Sequence, residues 1–159
     1  MNGKTVAGCF LPASAISLNF DRKALMHLQS YLFFDGKCEE AINFYKSALG
    51  AKVNMMMRYK ESPEPTPHKV DPNKIMHASL QIGKSDLMMS DGHCTGQPTF
   101  KGFAQSIGTT DQGEAERIFK SLSEGGQVQM PMTKTFYSPA FGMVTDRFGV
   151  MWMVIVDRD

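Results

Sequence analysis

The chain has 159 residues, 42% hydrophobic and 21% charged, with 17 Lys and Arg against 16 Asp and Glu for a formal charge of +1. That length supplies one core of ordinary size, and that composition excludes a disordered chain. An even charge balance leaves no basic footprint, so neither nucleic acid nor a membrane surface is expected as a partner.

Residues 1–25 read as an N-terminal extension ahead of a single domain over 26–159. Their apolar run from Val6 to Leu11 is shorter than a secretory signal needs. No later stretch has the roughly 18 uninterrupted apolar residues of a membrane span. Cys9, Cys38 and Cys94 are an odd set without C-x-x-C spacing. This argues against a disulfide framework and a thiolate zinc site, and for a reducing, cytoplasmic location.

The first convincing strand covers 28–34. Ala41, Phe44, Tyr45, Ala48 and Leu49 then recur at helical spacing before Gly50 stops the helix. Strands follow at 52–59, 75–82 and 86–90, the last two joined by the turn Gly83-Lys84-Ser85. Between the first two of these, residues 60–74 hold four prolines and no periodicity, as a lid or an irregular excursion does. The pattern then repeats. Glu40-Ala41-x-x-Phe44-Tyr45-Lys46-Ser47 returns as Glu114-Ala115-x-x-Ile118-Phe119-Lys120-Ser121, an offset of 74, with strands at 102–108, 127–135, 141–146 and 150–156. The expected fold is α+β: two βαβββ modules, 27–96 and 100–157, whose curved mixed sheets enclose a cleft.

Several motifs then resemble a known family. Phe44-Tyr45-Lys46-Ser47-Ala48-Leu49-Gly50 and Asp146-Arg147-Phe148-Gly149-Val150-Met151-Trp152 resemble the vicinal oxygen chelate superfamily of glyoxalase I, bleomycin and fosfomycin resistance proteins and extradiol dioxygenases. His77-Ala78-Ser79-Leu80-Gln81-Ile82-Gly83, Leu87-Met88-Met89-Ser90-Asp91 and Phe141-Gly142-Met143-Val144-Thr145-Asp146 are similar to its PhnB-like branch. Members of this branch often carry a demethylubiquinone methyltransferase description. Neither strand-to-helix link, Asp35-Gly36-Lys37 nor Thr110-Asp111-Gln112, is the Gly-rich turn of a parallel sheet at which a nucleotide-sized methyl donor sits.

Metal-using relatives hold their ion with a His or Gln on the first strand and a Glu on the last strand of each module. Carried over through the repeated helices, those positions are Gln29, Met88, Phe103 and Met153. Phe has no donor, and thioethers suit hard or borderline divalent ions poorly. The resemblance therefore implies a small-molecule binding protein with no metal and no cofactor, forming a homodimer. Gln29, Tyr31, Met88, Phe103, Gln105 and Met153 would contact the ligand. The alternative is a metal-dependent lyase, isomerase or thiol transferase of the glyoxalase kind, so whether the chain is an enzyme stays open.

His77 is the candidate catalytic residue, a general base if its ring faces the cleft and otherwise a hydrogen-bonded structural histidine. Asp91-Gly92-His93-Cys94 clusters reactive groups, although a solvated turn is the simpler expectation. Met151, Met153 and Ile155 alternate with Trp152, Val154 and Val156. With the methionines toward the cleft, Trp152 packs against a helix.

Overall fold

A computed structural model describes residues 27–64, 70–92, 96 and 98–158. The expected extension over 1–25 lies outside the described residues. The elements run in the order β1 (Ser30–Phe33), α1 (Cys38–Leu49), β2 (Lys52–Arg58), β3 (Ile75–Ile82), β4 (Ser85–Ser90), β5 (Gln105–Thr109), α2 (Gln112–Ser123), β6 (Gln127–Thr133), β7 (Phe141–Thr145) and β8 (Met151–Val156). They form two βαβββ modules with four-stranded sheets ordered β1-β4-β3-β2 and β5-β8-β7-β6. In each sheet the edge pair, β1 with β4 or β5 with β8, is parallel and the rest is antiparallel. This is the expected α+β architecture.

Local chemistry explains the boundaries. Gly50 adopts a left-handed φ of 64° and ends α1, which a side chain would resist. Asp111 caps α2, its side chain accepting from the Glu114 amide at 3.0 Å. One strand starts later than expected: Gly102 turns the chain at φ 80°, and β5 begins only at Gln105. Phe103 therefore lies before the strand. It is 42% exposed and set edge-on to Phe100.

Each helix covers one face of a sheet. Ala41, Tyr45 and Ala48 of α1 are buried together with Leu32, Ala78, Leu80, Leu87 and Met89, while Ala115 and Leu122 of α2 are buried with Val144, Trp152 and Val154. The modules meet at Asp146, a buried carboxylate in the β7–β8 turn. It accepts from the Tyr45 hydroxyl of α1 at 2.8 Å, Trp152 Nε1 at 2.9 Å, and the amides of Phe148 and Val150 at 2.9 and 3.0 Å. Four donors compensate the desolvated charge. Trp152 is buried edge-on against Tyr45, on the face away from Met151 and Met153, as the alternation implies.

The proline-rich excursion leaves β2 through a 3₁₀ turn, Tyr59–Glu61, and returns beside it, with Tyr59 N donating to Lys74 O and Lys60 N to Pro72 O. Arg58 bridges it to Glu39 on α1, and Lys74 pairs with Asp35. Residues 65–69 lie outside the described residues. Among the described residues no helix is long and apolar enough to cross a membrane.

Candidate functional site

Strand pairing fixes which side chains share the face away from the helices. Across the first sheet Tyr31, Met88, Ser79 and Met55 stand opposite one another in a row. Across the second the row is Ser106, Met153, Met143 and Met130. The two rows are equivalent by position. Met88 and Met153 thus occupy matching central places.

Gln105 does not share that face. It lies opposite Trp152 and so points to the helix side, where it accepts a hydrogen bond from Ser30 Oγ at 3.1 Å. The cause is a difference in spacing. The helices start at Cys38 and Gln112, 74 residues apart, but Ser30 and Gln105, which face the buried Leu87 and Trp152, are 75 apart. The second module has one residue fewer between strand and helix. An offset taken from the helices therefore misplaces β5 by one residue, which reverses its faces. The counterpart of Gln29 is Ala104, and Phe103 does not belong to the row.

Gln29 is half-buried, and its Nε2 donates to Asp86 Oδ2 at 3.2 Å, while Asn54 Nδ2 donates to Asp86 Oδ1 at 3.1 Å. Asp86 thereby spends both oxygens on amides. The four positions to which the resemblance assigns metal ligands carry Gln29, Met88, Ala104 and Met153, which amount to one amide oxygen, two thioethers and a methyl group. That set does not fit a hard or borderline divalent ion. Among the described residues there is no group of three His, Cys, Asp or Glu side chains placed to hold one.

His77 is half-buried on the same face as Ser79, and its Nδ1 lies 2.9 Å from the Tyr31 hydroxyl. The two rings are tilted at 5.6 Å, and Tyr31 stacks on Phe33 at 4.9 Å. Sequence separation hid this pair, since its members stand 46 positions apart. Asp91 departs from the solvated turn expected of it. It is buried and accepts from the backbone amides of Cys38 and Ile75, both at 2.9 Å. Burial pushes the neighbouring Cys38 thiol well above its ordinary range, so it stays protonated and unreactive. His93 and Cys94 lie outside the described residues.

A cavity of about 1030 Å³ opens between the edges of β1 and β5, on the helix side. Of the expected ligand contacts it includes Gln29 and Gln105, with Leu49, Leu87, Ile107 and Ile118 as apolar lining. Tyr31, Met88, Phe103 and Met153 are not among its walls.

A family described as 3-demethylubiquinone-9 3-methyltransferase matches residues 26–155. Protein YjdN of Escherichia coli K12 is 34% identical over 140 residues, spanning 82% of this chain and 95% of that protein. The crystal structure of PA1353 from Pseudomonas aeruginosa is 43% identical with a TM-score of 0.74, over 84% of this chain and 99% of that one. A PhnB protein from Bacillus cereus, described as a putative 3-demethylubiquinone-9 3-methyltransferase, has a TM-score of 0.69 at 24% identity, over 82% and 98% of the two chains. The same fold occurs in a glyoxylase/bleomycin resistance protein/dioxygenase domain from Frankia sp. EAN1pec. Its TM-score is 0.57 at 13% identity, over 83% and 95% of the two chains.

Proposed function

Because the chain belongs to the PhnB-like 3-demethylubiquinone-9 3-methyltransferase family, a branch of the vicinal oxygen chelate superfamily, we propose that it binds a small molecule in its inter-sheet cleft without a bound metal. The observation that carries this reading is the pair Met88 and Met153 at the centres of the two equivalent rows. Where metal-using relatives place carboxylates, this chain places polarizable thioethers, which suit a flat or apolar ligand better than a cation. His77, held by Tyr31, and Ser79 supply polar groups on the same wall. The family's description does not extend to methyl transfer here. The links from β1 to α1 and from β5 to α2 lack the Gly-rich form, and each sheet has only one parallel pair, at its edge.

We also propose a homodimer. Val53, Met55 and Met56 are exposed on β2 and Val128 on β6, an apolar surface that a second copy of the chain would cover.

The metal-free reading is tested on the purified protein by elemental analysis and by thermal unfolding with chelator, zinc, nickel and manganese. Only an ion that binds the native state raises its melting temperature. The expected result is substoichiometric metal and no response to any addition. Loss of several degrees with chelator, recovered by one divalent ion, would replace this reading with that of a metal-dependent lyase, isomerase or thiol transferase.

A further inference from the structure

Resting on the cleft as a small-molecule site, we infer that the Tyr31–His77 pair anchors that molecule, with His77 Nε2–H donating to an oxygen of an aromatic or conjugated carboxylate. Tyr31 Oη and His77 Nδ1 are 2.9 Å apart. A phenol is the better donor of the two, and an imidazole nitrogen is the better neutral acceptor, so the phenol proton lies toward Nδ1. That arrangement leaves the ring's one proton on Nε2.

Nε2 makes no hydrogen bond among the described residues. No buried side-chain nitrogen or oxygen among them lacks a partner. Nε2 is therefore open rather than sealed in the core, a placed donor on the sheet face away from the helices. Ser79, two residues along the same face of β3, adds a second donor, its hydroxyl.

Asp86, a carboxylate on the same sheet face, already receives two amide donors and lies further along β4, opposite Gln81. It leaves the donors of His77 and Ser79 for a ligand. Around them stand the Tyr31 ring, Met88 and, on β2, Met55 and Met57, the last directly opposite His77. Donors set in a wall of rings and thioethers match a flat apolar body that ends in an oxygen acceptor. Tyr31 is a positioning residue here, because it holds the tautomer without touching the ligand oxygen.

The experiment uses the full chain and two probes sharing one ring, 4-nitrobenzoate and nitrobenzene. The imidazole nitrogens of His77 and the methyl of Met88 are followed by NMR. In the free protein His77 is expected as the Nε2–H tautomer, and Tyr31→Phe should lose that preference. 4-Nitrobenzoate should shift both signals, and His77→Phe should weaken its binding by about tenfold, the size of one lost hydrogen bond to a charged group, while leaving nitrobenzene unchanged.

An Nδ1–H tautomer in the free protein overturns the inference without any variant, so it does not depend on His77→Phe folding. Equal binding of 4-nitrobenzoate to wild type and His77→Phe overturns it too, as does failure of 4-nitrobenzoate to move His77. If nitrobenzene still shifts Met88 in those cases, the small-molecule reading stands and only the anchor falls. If neither probe binds and a divalent ion raises the melting temperature, both fall.

Discussion

Asp146 concentrates more of the fold's chemistry than any other single side chain described. Removing it leaves Tyr45 Oη and Trp152 Nε1 as buried donors with no acceptor. Asp146→Ala is therefore expected to cost about 3–5 kcal/mol, comparable to the cost of about 3–5 kcal/mol for Trp152→Ala as a large-to-small core change. Since both act on one hub, the double variant should lose clearly less than the sum, which denaturant titration of the four proteins measures. Tyr45 adds a pH dependence. Burial first, and then the Asp146 charge, hold its phenol well above the ordinary value of 10.0, and burial likewise raises the Cys38 thiol from 9.0. The folded state keeps protons that the unfolded chain releases, so these contributions are whole below about pH 9 and are lost as pH rises beyond it. Melting temperature should fall between pH 9 and 11, and Tyr45→Phe should flatten that fall. A slope identical in wild type and variant would place the effect elsewhere.

At the scale of elements, the repeat carried most of the architecture and misled at one strand. Both helices were legible because their apolar stripes are long and periodic. Strand β3 was legible because it is bounded by a proline-rich segment and a Gly-Lys turn. The face of β5 was not. Five residues contain too few alternations to override an offset measured on α1 and α2, and a one-residue difference in the link decides which side chains meet. Phe103 and Gln105 left the expected face for that reason, whereas Tyr31, Met88 and Met153 lie on the face away from the helices. The apolar Leu32 and Ile107, both on the helix side, are the signal that would have set the strand offset at 75. The modules also differ where sheet meets helix. Gly142 takes the place in β7 that Ala78 has in β3, and a Cβ built there would come within 2.7 Å of the Phe119 ring on α2. Gly142→Ala should lower stability by about 1–3 kcal/mol through overpacking, read as a lower denaturation midpoint at unchanged slope.

For the whole molecule, the hub ties α1 of one module to β8 of the other, and Arg117 of α2 donates to the Ala48 carbonyl of α1 at 3.1 Å. Two halves joined through buried polar bonds should unfold in a single transition. The proposed homodimer is a separate matter, because Val53, Met55 and Met56 lie on the outer strand β2, away from that junction. Met55→Lys together with Met56→Lys should shift sedimentation from a dimer to a monomer with the fold retained. A wild-type protein that sediments as a monomer at micromolar concentration rejects the dimer outright.

The methionine rows on the two sheets carry a chemical liability. Thioethers are oxidised to sulfoxides in proportion to their access, and a sulfoxide is polar where its parent was apolar. Under mild peroxide Met55 and Met56, each more than 40% exposed, should be oxidised first and the half-buried Met88, Met143 and Met153 more slowly, while Met89, at 0% exposure, is spared. Peptide mass spectrometry would give that order. The core beneath the helices would survive while the exposed face of each sheet turned polar, so the proposed binding of a flat ligand would record the oxidative history of the molecule.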